Sequence, residues 1–265
     1  MLIDTIEIQD NDVYFLEAVN DKIVINDNYN GVMIFDSTFN LLKKIYLIND
    51  LIIYYSYKNE EESEILLYCP ENNCFIYINL VTYHHKIILL DKFDEWIFSP
   101  FYKWNKEEVI LTNYRSGFAK ISFSKSKLFE LDANSKECCL IREDYKKLVE
   151  FKIIKIFSSE KRALIENSQL NLSLIEYKED IKTLAEFEKE LFYDFEIINK
   201  YIVEIGENKI YILNGKNKEI WYPKADYCFL RGKLMLDEKE IFLYLLSGNK
   251  SNSNEAKIEK YLLQG

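Results

Sequence analysis

Two histidines, three prolines, seven glycines and four arginines are all that 265 residues contain of those types. The histidines, His84 and His85, are adjacent, so on a strand they point to opposite faces and cannot grip one ion together. A Ser–His–acid machine would have to recruit one of them from an outer strand, away from any shared cleft. Gly206 and Gly215 stand alone and open no helix, which excludes a glycine-rich phosphate loop. Five cysteines at irregular positions make no disulfide framework and fit a reducing compartment. Cys69 and Cys74 flank the turn Pro70-Glu71-Asn72-Asn73, but a zinc site there would need two further ligands. Cys138 and Cys139 are adjacent and offer no ligand spacing. No metal and no cofactor are expected.

Long apolar runs are missing too. None reaches the roughly 18 residues that a membrane helix needs. The opening Met1-Leu2-Ile3-Asp4 has no basic head, and Asp4, Glu7, Asp10 and Asp12 interrupt any signal-like core. The expected location is the cytoplasm. Acid outweighs base to give a formal charge of −10, so nucleic-acid phosphates and anionic lipid are repelled, whereas a basic protein is attracted. The wealth of Lys, Asn, Ile and Tyr reads as the coding bias of an A+T-rich, bacterial genome. Hydrophobic residues at 48% are ample for a large core and oppose disorder.

What the chain does have is a repeat. Six times an apolar run ends in a short Asn-, Gly- or acid-rich turn and a second apolar run follows. The clearest pairs are Lys22–Asp27 with Gly31–Asp36, Glu64–Cys69 with Cys74–Asn79, and Glu108–Asn113 with Gly117–Ser122. Fainter ones are Arg162–Asn167 with Leu172–Tyr177, Tyr201–Gly206 with Lys209–Asn214, and Ile241–Leu246 with Ala256–Tyr261, the last with a longer hairpin. A period of about 40 residues built from strands predicts small sheets around an axis. Within each unit the second and third strands are almost continuously apolar, as in sheets covered on both faces, whereas fourth strands such as Lys44-Ile45-Tyr46-Leu47 alternate with polar residues. The expected fold is all-β: one domain over residues 1–265, a six-bladed β-propeller of four-stranded antiparallel blades.

The sixth unit runs out of chain before its fourth strand. The N-terminal segment 2–8 is the expected substitute, pairing beside Ala256–Leu263 and closing the ring, so that two sheet edges are protected at once. Between units three and four an insertion over 134–147 is expected to hold a short helix, capped by Asn134 or Ser135, with Cys139, Leu140 and Leu148 facing inward.

The stretch from Lys22 to Asp36, leading to Leu41-Leu42-Lys43-Lys44, resembles one blade of a β-propeller protein, and the likeness extends over essentially the whole chain. The Trp-Asp pairs of WD repeats, the paired glycines of Kelch repeats and the Ser-x-Asp-x-Gly-x-Thr-Trp boxes of sialidases are missing. The resemblance implies a rigid disc whose top face and central channel bind something. It carries over no functional residue.

In such a disc the turns between second and third strands share a face with the links between blades. That places Asp27, Tyr29, Asp50, Glu71, Asp91, Asp94, Glu95, Trp96, Tyr114, Glu207, Asp226 and Tyr227 on one surface. Acid speeds encounter with a basic partner and aromatics anchor it, although Asn and Asp also suit turns for their geometry alone. The expected activity is therefore non-catalytic protein binding, of the kind by which an immunity or antitoxin protein masks a basic toxin or effector domain. The alternative is a carbohydrate-active enzyme or sugar-binding module that uses Asp91, Asp94 and Glu95 beside the Trp96 platform at the channel mouth.

Overall fold

A strand covered on both faces tolerates only apolar or paired side chains, and the middle strands of this chain meet that condition almost residue for residue. The computed structural model describes residues 1–93, 96, 98–113, 117–139, 146–148, 151–157, 161–167, 171–187, 192–215 and 217–263. They form six four-stranded antiparallel sheets. Strand β1 (Leu2–Ile8) stands apart from its neighbours in sequence. The first blade is β2 (Leu16–Val19), β3 (Lys22–Asp27), β4 (Gly31–Asp36) and β5 (Leu41–Tyr46); the second is β6 (Tyr55–Asn59), β7 (Glu64–Cys69), β8 (Cys74–Asn79) and β9 (His85–Leu89). The third is β10 (Phe98–Asn105), β11 (Glu108–Asn113), β12 (Phe118–Ser122) and β13 (Lys127–Leu131). The fourth is β14 (Lys152–Phe157), β15 (Arg162–Glu166), β16 (Leu172–Glu176) and β17 (Lys182–Phe187). The fifth is β18 (Phe192–Ile198), β19 (Tyr201–Gly206), β20 (Ile210–Asn214) and β21 (Asn217–Trp221). In the sixth, β22 (Tyr227–Asp237), β23 (Glu240–Asn249) and β24 (Asn252–Leu263) are joined by β1. This is the all-β, six-bladed propeller arrangement that the repeat predicts. Among the described residues no helix is long and apolar enough to cross a membrane.

Two compact units divide the chain, Met1–His85 with Leu191–Gly265, and Lys86–Glu190. In the first, the two-residue period of a strand sends alternate side chains to different blades. Val24, Val32 and Ile34 pack with Ile65, Leu67, Ile76 and Ile78 of the second blade. Their neighbours Ile23, Ile25, Met33 and Phe35 pack with Tyr244, Leu246 and Ile258 of the sixth. Val203, Ile205 and Ile212 of the fifth blade meet Leu243 and Leu245 on the sixth blade's other face. Each such side chain contributes about 1.5–3 kcal/mol when fully buried. A second seam ties the first and sixth blades: the Lys260 ammonium lies 4.2 Å from the Phe242 ring and donates to Ser37 O at 2.9 Å.

Asn26 shows how a buried polar group is satisfied in this unit. Asn26, with no exposure, sits near the end of β3 where β2 has not yet begun. Its Oδ1 accepts from the backbone N–H of Tyr14 and of Phe15, both at 2.9 Å, and its Nδ2 donates to Asp12 O and Asn28 O. The side chain thus stands in for a missing piece of ladder, which explains why β2 starts only at Leu16. Gly31 opens β4 because a Cβ there would lie 2.0 Å from Ile45 O.

The N-terminal strand runs antiparallel to β24, with Ile8 opposite Ala256 and Leu2 opposite Tyr261, and the Met1 ammonium donates to Leu262 O at 2.8 Å. The hairpin expected to be long in the sixth blade is short: β23 and β24 themselves extend to Asn249 and Asn252.

In the second unit β10 lies beside β14. Residues 136–139 form a helical turn whose Cys138 N–H donates to Ser135 Oγ at 3.3 Å, the expected cap. The inward thiol is Cys138, fully buried beside Ile110 and Phe118, and Cys139 is exposed. The one-residue error follows from the register of the turn, which its cap sets. Leu148 is buried among Ile153, Ala163 and Ile175, as expected, and Leu140 lies outside the described residues.

Two outcomes follow. Asn26→Ala strips four hydrogen bonds from a buried site and is expected to destabilise by about 3 kcal/mol in denaturant unfolding. Deleting residues 1–9 bares the outer edge of β24 and should lower the melting temperature; an unchanged melting temperature would mean that β1 contributes nothing to stability.

Candidate functional site

Links between blades need somewhere to put their backbone polar groups, and in the first two blades they put them on the turns between second and third strands. Leu47 N–H donates to Asn30 O at 2.9 Å and Leu51 N–H to Tyr29 O at 2.7 Å. Further along the same link, Asn72 clamps residues 50–52 from the next blade's turn: its Nδ2 donates to Asp50 O, and its Oδ1 accepts from Ile52 N–H. The segment before β2 is held likewise, with Asp12 N–H donating to Asn28 Oδ1 and Asn28 N–H to Asn11 Oδ1. Turns and links of blades one and two are thereby stitched into one continuous surface.

Tyrosines and acids alternate across it. Tyr29, 40% exposed, stacks on Tyr14 with ring centroids 5.6 Å apart and donates its hydroxyl to Asp12 Oδ2 at 2.7 Å. Tyr14 is pinned in turn, donating to Leu51 O and accepting from Ile53 N–H. Burial raises the Tyr14 phenol to about 12, so this hydroxyl stays protonated. Tyr54, 51% exposed, donates to Glu71 Oε1 at 2.5 Å, and Tyr46, 65% exposed, donates to Asn49 Oδ1. The Glu71 hydrogen bond and, for Tyr29, the Asp12 hydrogen bond raise the pKa of each phenol. Ile52 is also exposed between them. Asp10, Asp50 and Glu71 are exposed, and Asp27 lies 3.6 Å from the ammonium of Lys44. The result is a set of pre-oriented aromatic rings rimmed by carboxylates.

Of the residues singled out in the sequence, Asp27, Tyr29, Asp50 and Glu71 are brought together here. Glu207, Asp226 and Tyr227 lie in the same kind of position on blades five and six, where Phe229 N–H donates to Glu207 O and Lys250 N–H to Asp226 O. In the second unit, Asp91 is exposed at the start of a short 3-10 turn. Trp96 is half-buried, its ring 4.9 Å from that of Phe93 and 5.7 Å from that of Phe98, over Gly117. Its face is therefore used in packing. Asp94, Glu95 and Tyr114 lie outside the described residues.

Sequence reasoning missed a charged cluster on the first strands. Lys233 of β22 places its ammonium 3.1 Å from Glu196 Oε1 and 3.0 Å from Asp194 Oδ2 on β18, and 3.6 Å from Glu17 Oε2 on β2. Glu17 in turn accepts from Ser56 Oγ at 2.8 Å and faces Lys58 at 3.6 Å, both on β6. Four blades meet in this one group. Burial alone would lower the lysine pKa, but the charges of Asp194, Glu17 and Glu196 outweigh it and hold Lys233 well above the ordinary value. Its charge is therefore present throughout the neutral range. The signal was visible as isolated charges inside apolar first strands, but such strands are half polar anyway.

His84 and His85 are both exposed. Cys69 and Cys74 face each other across the ladder as free, buried thiols. The hydrogen bond between the sulfurs, with burial, raises the Cys69 pKa and keeps it protonated. Among the described residues no three His, Cys, Asp or Glu side chains are grouped to hold a metal ion.

No family model matches the chain, and no curated protein matches it in sequence. Solved structures do. The β-propeller domain of Cps50 (Swd1) from Myceliophteria thermophila superposes with a TM-score of 0.63 at 9% identity, covering 98% of this chain and 100% of that one. The WD40 β-propeller domain of Doa1 gives a TM-score of 0.51 at 13% identity, covering 97% and 95%. The likeness shows the fold, reached here without the Trp-Asp pairs.

Lys233→Met leaves three carboxylates crowded in a buried site, so an expected loss of about 3–5 kcal/mol should appear in denaturant unfolding. Adding Asp194→Asn and Glu196→Gln to that variant should restore part of it, because the uncompensated charge is then gone.

Proposed function

We propose that this chain is a non-catalytic, protein-binding propeller that uses the tyrosine-and-carboxylate surface of its first two blades. The observation that carries the reading is the conjunction of exposed Tyr29, Tyr46, Ile52 and Tyr54 with Asp10, Asp50 and Glu71 on hydrogen-bonded, pre-ordered turns. Rings already held in place lose little freedom on binding, which is what interface anchors require. The surrounding carboxylates select a basic partner and accelerate its approach. Within that reading the partner is a basic toxin or effector domain, masked in the cytoplasm by an immunity-type protein. The overall charge of −10 agrees with it.

The sugar-binding alternative rested on Trp96 as an open platform beside acids. Packing of that ring among Phe93, Phe98 and Gly117 weakens it, so the protein-binding reading is preferred.

The test is affinity capture from the source lysate with the native chain and with Asp10→Asn/Asp50→Asn/Glu71→Gln. Asp10 and Asp50 have positive φ, 57° and 54°, which Asn also adopts readily, so the variant should fold normally. A basic protein is expected on the native chain, weakened by added salt and by the triple variant by about tenfold or more. Recovery of only acidic partners, or equal recovery by both chains, would overturn the reading.

A further inference from the structure

A cavity of about 320 Å³ opens between β21 of the fifth blade and the sixth blade. Its walls are aromatic. Trp221 and Tyr261 have ring centroids 4.8 Å apart at 50°, and Tyr227 lines the same cavity. Two of its charged groups are deeply placed. Lys257 is 4% exposed and Glu259 5%, in strand positions that otherwise hold apolar side chains. Lys257 Nζ lies 3.3 Å from Glu259 Oε1 and 4.5 Å from the centre of the Tyr227 ring. Lys224, on the link before β22, brings a second ammonium to the same carboxylate oxygen at 3.7 Å, with 72% of its side chain exposed.

The charges do not balance. One carboxylate serves two ammonium groups, and the Tyr261 hydroxyl also contacts that carboxylate: burial and then the Glu259 charge raise the phenol to about 12. Burial first, and then the neighbouring Lys224 amine, lower the Lys257 pKa, against the charge of Glu259. A small site of mixed polarity, with two ammonium groups to one carboxylate and an aromatic lining, has the form of a ligand pocket.

We propose that this cavity binds a small organic monocarboxylate with a flat apolar body, its carboxylate between Lys257 and Lys224 and its body against Trp221 and Tyr261. This site lies apart from the surface on blades one and two, and its chemistry is opposite in sign. A carboxylate arriving there completes the pairing of Lys257 and Lys224 that Glu259 alone leaves short, and the charge-assisted hydrogen bond to the buried Lys257 forms out of bulk water. The aromatic walls supply area for the body.

The experiment is titration calorimetry on the full chain with three matched probes: phenylacetate, 2-phenylethanol and 2-phenylethylamine. Phenylacetate is expected to bind and to protect Trp221 from fluorescence quenching by iodide, the alcohol to bind at least about tenfold more weakly and the amine not at all. Lys257→Met should lower phenylacetate affinity by about tenfold or more, and the exposed Lys224→Met by less. Glu259→Gln distinguishes the sign of the site: removing the competing carboxylate should strengthen phenylacetate binding. Preference for the amine, or weaker phenylacetate binding by Glu259→Gln at unchanged melting temperature, would overturn the proposal. So would absence of phenylacetate binding to the native chain, whatever the lysate capture shows for blades one and two.

Discussion

Two-sided burial is the constraint on which the structure of the first unit rests. A blade whose middle strands are apolar on both faces has no stable existence alone, because either face would meet water. Val24 and Ile25 are neighbours in sequence, yet one packs into the second blade and the other into the sixth. The two-residue period of the strand therefore does more than bury residues; it makes the first blade a partner of two others, and the sixth likewise. Repetition of that unit is the natural solution, and it yields a propeller without the Trp-Asp or paired-glycine signatures of better-marked repeats.

Where the first strands approach one another, apolar packing gives way to charge. Lys233 gathers Asp194, Glu196 and Glu17, and Glu17 passes the contact on to Ser56 and Lys58. A buried group of this kind adds little net stability compared with an apolar substitute, since desolvation offsets attraction. What it adds is register, because three carboxylates from two blades can surround one ammonium in only one alignment. Apolar contacts, lacking direction, would not penalise a slipped first strand as strongly.

The surfaces follow from the same economy of backbone hydrogen bonds. Links between blades lie down on neighbouring turns, and Asn residues 11, 28 and 72 make the crossings. Tyrosines emerging from that mesh are fixed before any partner arrives, which suits a binding surface. On blades five and six Glu207 and Asp226 occupy the equivalent turn and link, while the cavity between these blades carries Lys224 and Lys257 beside Glu259.

The four strands of each sheet and the N-terminal strand's place beside β24 were legible in the chain, because apolar runs of five or six residues separated by Asn- and Gly-containing turns admit few other arrangements. Asp27, Tyr29, Asp50 and Glu71 could be placed on one surface by the same reasoning, since a turn's position in the blade decides where it emerges. Local sequence could not show that Trp96 is used in packing, that Cys138 rather than Cys139 points inward, or that β2 begins only at Leu16. Each depends on a partner distant in the chain or on a cap that sets register. Nor could it show Lys233 among its carboxylates or Lys257 beside Glu259: the net charge counts these groups alike, whereas their burial and pairing are created only when strands far apart in sequence are packed together.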